Sequence, residues 1–218
     1  MQSIILKMKY FVKAVVVIVA TSISCFAFSQ SDTATPDLSI ERNKTIRQLL
    51  DYRFRGGSGE FERLLLQKVS YSQEALTHCV MGTVILSFTV DCDNKMSEMR
   101  MRNPMYYGLN EQLQAFYKST EGNWNSCNDN RYTRFEIPIL FSIENVETRA
   151  SGLMVVEGKS QGLPCRDDAY YLEQYKKYQS KGKTKKALQT LDILIHRDPY
   201  NQEYYDMKKA LLGAGEIP

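Results

Sequence analysis

The run Val80-Met81-Gly82-Thr83-Val84-Ile85-Leu86-Ser87-Phe88-Thr89-Val90, followed by Asp91-Cys92-Asp93-Asn94-Lys95 and then Met96 to Asn103, decides the fold. Val84, Leu86, Phe88 and Val90 alternate with Thr83, Ser87 and Thr89, the period of a strand with one face on a core. The Asp/Asn cluster supplies turn chemistry and a second strand follows, with Met99 and Met101 on one side and Glu98, Arg100 and Arg102 on the other; the unit reads as a β-hairpin. An echo at Arg134–Ile143 alternates Phe135, Ile137, Ile139, Phe141 and Ile143. Pro138 lies inside this third strand and cannot donate a ladder hydrogen bond, so the strand is expected at an edge.

Helices are expected between the strands. After the joint Gly56-Gly57-Ser58-Gly59, Glu60–Lys68 carries Phe61, Leu64 and Leu65 on one face, with Ser58 as cap. Leu109, Leu113, Phe116 and Tyr117 share a face of a helix over 109–120, which Gly122 stops. A shorter helix is expected at 43–52, and Trp124 reads as a core plug. If strand one runs up and strand two down, the helix 109–120 climbs and strand three runs down beside strand one. The expected fold is α+β: a three-stranded antiparallel sheet of order 2-1-3 with two helices on one face, followed by a C-terminal helical hairpin.

Lys7, Lys9 and Lys13 precede an apolar stretch too short to span a bilayer comfortably, and Ala27-Phe28-Ser29 offers small residues for cleavage. Residues 1–29 therefore read as a signal peptide, with a retained anchor, or a lipoprotein through Cys25, as the weaker readings. Localisation is expected to be periplasmic or otherwise exported. Three of the 28 basic residues and none of the 25 acidic ones lie in this leader, so the chain from Gln30 on is balanced. Such a balance gives no basic stripe for nucleic acid.

Four cysteines remain beyond the leader. They allow three pairings, and spacing alone does not choose. The topology does: Cys92 at the top of strand one lies near Cys127 before strand three, and Cys79 at its bottom lies where the chain leaves toward Cys165. The expected disulfides are Cys92–Cys127 and Cys79–Cys165, in keeping with export. No C-x-x-C occurs. The only histidines, His78 and His196, are far apart in sequence, so zinc has no support. Asp91-x-Asp93-Asn94 lacks the glycine and distal glutamate of a calcium loop, and the glycine cluster lacks a following Gly-Lys-Ser/Thr. His78 and Cys79 are neighbours that would point to opposite faces. The expectation is a protein that is not an enzyme, with no catalytic residues, metal or cofactor.

Gly56-Gly57, the helix after it, Tyr71, Ala75, Gly82-x-Val84-x-Leu86-x-Phe88-x-Val90-Asp91, Asp93-Asn94-Lys95, Leu109-Asn110-Glu111, Trp124 and Ile137-Pro138-Ile139-x-Phe141 resemble, in order and spacing, the C-terminal domain of TonB-family energy transducers. The resemblance implies a periplasmic binding module that takes up a segment of an outer-membrane transporter by strand addition beside strand three. The matching edge is Arg134, Phe135, Glu136, Ile137, Pro138, Ile139, Leu140, Phe141 and Ser142. The chain departs from the family in having a cleavable leader and only six prolines, so relay of force from an inner membrane does not carry over. Tyr171, Tyr175, Tyr178, Gly182, Ala187, Leu191, Leu194 and Pro199 resemble a tetratricopeptide repeat, with Tyr204–Leu212 as a capping helix. One repeat is too few to stand alone and should pack on the first domain or a partner.

The organisation expected is thus a signal peptide (1–29), a lead-in (30–55), a TonB-C-like domain (56–145), a linker (146–166) and a helical subdomain (167–218). The expected function is an exported protein-binding adaptor of the cell envelope. Its expected partner is an envelope protein or peptide, such as a TonB-dependent transporter, and not nucleic acid. The alternative is a structural or dimer-forming component that uses strand three as an intermolecular edge.

Overall fold

The computed structural model describes residues 38–159, 162 and 164–213; the leader 1–29 and the first part of the lead-in lie outside the described residues. β1 (Gly82–Val90) is the centre of the sheet and is buried on both faces, apart from a half-buried Thr89. β2 (Met96–Arg102) pairs with it antiparallel on one side, across a bulge near Phe88. β3 (Arg134–Ile143) pairs antiparallel on the other, with Val84 opposite Ile139, Leu86 opposite Ile137 and Phe88 opposite Phe135.

A fourth strand corrects the expected three-stranded antiparallel sheet. β4 (Met154–Gly158) adds to β3 in parallel, from Ile139↔Met154 to Ile143↔Gly158, so the sheet is mixed and its order is β2-β1-β3-β4. Residues 146–166, read from sequence as a linker, therefore contain a strand. Met154, Val156 and Gly158 are buried while Val155 and Glu157 are exposed, the alternation of a half-buried strand.

One face of the sheet carries the main core. Val84, Leu86, Phe88 and Val90 meet Phe135, Ile137, Ile139 and Phe141 there, with Met154 and Val156 alongside. Three helices close over it: α1 (Leu38–Arg53), α2 (Gly57–Lys68) and α4 (Leu109–Ser119), while the single turn and a half of α3 (Gln73–Thr77) leads into β1. Phe54, Phe61, Phe88, Phe116, Phe135 and Trp124 form a mostly edge-to-face aromatic cluster, with neighbouring centroids from 4.8 to 6.1 Å apart. Edge-to-face pairs add to what area burial alone supplies, which makes this cluster the anchor of the core.

The C-terminal helices α5 (Asp168–Ser180), α6 (Thr184–Arg197) and α7 (Gln202–Gly213) have a core of their own, built on Tyr175, Ala187, Leu191, Leu194, Tyr204 and Leu211. The end of α6 lies directly against β1. A Cβ on Gly82 would stand 2.8 Å from both the Arg197 Cα and the His196 carbonyl oxygen, and Gly82 has φ +138°, so this position takes only glycine without strain. Asn103 Nδ2 donates both to Thr83 O (2.7 Å) and to His196 O (2.5 Å), tying the end of β2 to the same junction.

Cys92 is bonded to Cys127 and Cys79 to Cys165, the pairs that the topological argument brings together. The first closes the top of β1 onto the segment before β3. The second holds the chain entering α5 against the base of β1, and this pair of crosslinks fits an oxidising compartment. Among the described residues no helix is long and apolar enough to cross a membrane.

Candidate partner-binding groove

The outer edge of β3 was the expected site, and half of it is taken. β4 pairs with Ile139 through Ile143, so Ile139, Leu140, Phe141 and Ser142 are not open to strand addition. This corrects the expectation that all of Arg134–Ser142 forms a free edge. The β4 pairing stops at Ile139, and no described strand lies outside Arg134, Phe135, Glu136 and Ile137.

Pro138 marks the boundary. Its carbonyl accepts from Leu153 N at 2.8 Å, so its backbone polar groups face away from β1. The missing N–H therefore interrupts nothing in the β1 ladder. Nearby, Thr83 Oγ1 donates to the Ser151 carbonyl at 3.1 Å and Asn43 Nδ2 to the Gly152 carbonyl at 3.2 Å. Because strand residues two apart face the same way, the amide and carbonyl of Glu136 also point outward, past the end of β4.

Helix α1 stands beside this open half. Ile46, Leu49, Leu50, Arg53 and Phe54 fall at helical spacing, and Leu50 and Phe54 plug the core while Ile46 and Leu49 stay half-buried at its margin. Asn43 Nδ2 donates to Gly152 O (3.2 Å) and Arg47 Nη2 to Leu153 O (3.0 Å), which pins the helix to the residues leading into β4. A groove is left along α1. One part, of about 560 Å³, runs between Glu41, Arg42, Thr45, Ile46 and Leu49 of the helix and Arg134, Glu136 and Tyr200. The other, of about 580 Å³, continues past Thr45, Gln48 and Leu49 to Tyr52, Arg131 and Tyr132. The two share Thr45 and Leu49, so they adjoin along α1, one aromatic at its far end and the other charged.

The walls are held from behind. Arg53 is fully buried, and its guanidinium donates to the carbonyls of Asn125 (2.8 Å), Tyr132 (2.6 Å), Val90 (3.4 Å) and Asp91 (2.8 Å). Burial holds its pKa below the usual arginine value. Its partners are four carbonyls and the Cys127 sulfur, so it acts as a clamp gathering the top of β1, the turn before β3 and the tryptophan loop. At the other end Arg42 stacks on Tyr200, 3.7 Å from the ring centroid, and its Nε and Nη2 have no hydrogen-bond partner among the described residues. Glu136 reaches Arg102 at 2.8 Å and Arg134 at 3.8 Å, so the charged end is of mixed sign.

The remaining chemistry-bearing residues are dispersed. His78 stacks on Tyr107 at 4.2 Å, and His196 sits at the α6–β1 junction, where burial lowers its pKa. Tyr71 donates to Val80 O at 2.9 Å, and burial pushes its phenol well up. Among the described residues no three His, Cys, Asp or Glu side chains are grouped to hold a metal ion.

Comparison with family models, with curated proteins and with solved structures gives no match. Sequence reasoning missed the groove because it underrated α1, expecting only a short helix at 43–52. The stripe Ile46, Leu49, Leu50, Phe54 was the signal available. No sequence signal marks Arg53 as the buried clamp behind it.

Proposed function

We propose that this chain is an exported, non-enzymatic protein-binding adaptor that takes up an extended segment of an envelope protein in the groove along α1. One observation carries the reading: the outward backbone groups of β3 at Arg134–Ile137 lie past the end of β4, beside a groove with apolar walls at Ile46 and Leu49. An added segment would continue the sheet where β4 leaves off, gaining main-chain hydrogen bonds, with alternate side chains entering the groove. Tyr52 and Tyr132 supply aromatic contact at the far end. The resemblance to TonB C-terminal domains makes transporter-derived segments the first class to test. The tetratricopeptide-like helices would then hold Tyr200 at the groove and offer a second protein surface.

The test is an NMR titration with transporter-derived peptides. Saturable shifts are expected at Arg134–Ile137 and Ile46–Leu49. Glu136→Pro removes the outward N–H without touching the β1 ladder and should abolish them, while Glu136→Gln should retain them. An unperturbed Arg134–Ile137 with every such peptide sinks the proposal. A second copy of the chain is the competing occupant, because the same open edge can pair with itself. Light scattering separates the two, since a dimer that dissociates with Glu136→Pro favours self-pairing.

A further inference from the structure

The charge balance of the chain conceals a segregation. Lys176, Lys177, Lys181, Lys183, Lys185 and Lys186 lie within eleven residues at the tip of the α5–α6 hairpin, and all six are exposed. No acidic residue occurs between Glu173 and Asp192. None of the ion pairs among the described residues involves these lysines. The rest of the chain from Gln30 on therefore carries an acidic excess of the same size, and the molecule is strongly polarised toward this tip.

The tip also breaks the local rules of helix stability. Lys183 occupies the N-cap of α6 and its side chain makes no capping hydrogen bond, whereas Asp167 caps α5 by accepting from Tyr170 N at 2.7 Å. Lys185 and Lys186 stand in the first turn of α6, where the helix dipole disfavours positive charge and acidic residues are preferred. Lys186 has only a 5.8 Å approach to the Tyr178 ring and no acidic partner, and local rules broken with so little compensation point to a function for the residues that break them.

We infer that this lysine tip docks electrostatically on the anionic surface of a phospholipid bilayer. Lysine is depleted from packed protein interfaces, where aromatic residues and arginine serve as anchors. The tip has neither an exposed aromatic residue nor an arginine, and no exposed apolar side chain to insert. Tyr178 is half-buried under Lys186, whose Nζ is 5.8 Å from the ring centroid. What remains is a set of hydrated point charges on long stems, suited to diffuse attraction by many headgroup phosphates, and such attraction is worth roughly a fivefold gain in partitioning for each lysine near the surface. The acidic excess elsewhere would turn the rest of the molecule away from the bilayer.

The test is co-sedimentation with phosphatidylcholine vesicles, with and without phosphatidylglycerol. Binding to the neutral vesicles measures any contribution of residues 1–29. The wild-type protein should bind the anionic vesicles selectively and lose binding as salt is raised to about 0.5 M, where charges are screened within a few ångströms. Replacing Lys181, Lys183, Lys185 and Lys186 by Gln should weaken that binding at least about a hundredfold. The arginine versions should keep it, and both sets should unfold at no lower urea concentration than wild type. Absence of selective binding at low salt overturns the inference, as does equal binding by the glutamine variant. Lysine-dependent retention on immobilised poly-glutamate, with none on anionic vesicles, also overturns it in favour of an acidic protein partner.

Discussion

Asp168 and Arg197 form an ion pair at 2.8 Å with both side chains only 4% exposed, 29 residues apart in sequence but together at the open end of the α5–α6 hairpin. The second carboxylate oxygen of Asp168 accepts from Thr148 Oγ1 (2.9 Å) and Arg149 N (2.7 Å), and Arg197 Nη2 donates to Arg166 O (2.9 Å). One buried pair thus joins the start of α5, the end of α6 and the return loop that delivers β4. Removing a single partner leaves the other buried and uncompensated, which costs about 3–5 kcal/mol. Asp168→Leu and Arg197→Met should each lower the urea midpoint markedly, read by Trp124 fluorescence. Asp168→Leu combined with Arg197→Met should lose much less than the two single changes added together. Additive losses would show that the pair is not coupled.

Gly82→Ala tests the docking of the helices on the sheet. The new methyl would meet backbone atoms of His196 and Arg197 rather than a movable side chain, and the +138° φ adds strain. A loss of roughly 1–3 kcal/mol is expected, with amide exchange accelerated at the end of α6 and in the first residues of β1. Gly122→Ala, at φ +76° with nothing within 4 Å of the added atom, measures the cost of a left-handed φ without any contact. Equal losses from both would locate the cost in the backbone and not in the helix–sheet contact.

The strands that alternate over nine or ten residues were legible because each buries a continuous side-chain row; Val84–Val90 and Phe135–Phe141 announce themselves. β4 did not, because only Met154 and Val156 face the core, its last inward position is Gly158, and its partner edge contains a proline that reads as a terminus of the sheet. The outward aim of the missing N–H at Pro138 is a three-dimensional fact: it depends on which carbonyl of β3 faces β1. The parallel return in ten residues is shorter than the helical crossovers that usually join parallel strands. It is held by Asp168, a residue that sequence alone presents as an ordinary helix-starting acid. The groove followed the same logic, since its walls come from α1, the end of β3 and Tyr200, which no spacing connects.

The disulfides offer a graded test. Cys79–Cys165 spans 86 residues and Cys92–Cys127 spans 35. In the chain-entropy account the longer closure is worth slightly more, about 4.6 against about 3.8 kcal/mol. Paired serine variants should therefore both lose stability, the Cys79/Cys165 pair at least as much as the other. The Cys92/Cys127 pair should also loosen the Arg53 clamp, since Arg53 Nη1 lies 3.0 Å from Cys127 Sγ. That loosening is read as faster exchange of the Cys127, Val90 and Asn125 amides. A Cys92/Cys127 variant that exchanges there at the wild-type rate would separate the crosslink from the clamp.

His196 gives the fold a predicted acid sensitivity. It is half-buried at the α6–β1 junction, and desolvation lowers its pKa below the ordinary value. In the unfolded chain the imidazole gains its proton near its ordinary pKa of about 6.5, whereas the folded protein resists protonation until a lower pH. Between those two values the unfolded state binds more protons, so stability falls as pH falls. Asp198, two residues on, has its pKa raised, chiefly by burial, and acts in the opposite sense: the folded state takes up its proton earlier, which adds stability as the pH drops. A wild-type profile alone would mix the two. Comparison with His196→Gln isolates the histidine, because Asp198 is common to both proteins. The urea midpoint of wild type should decline more steeply between pH 7.5 and pH 5.5 than that of His196→Gln. Parallel profiles would mean that the His196 ring titrates in the folded state as it does in water, and that the junction admits solvent.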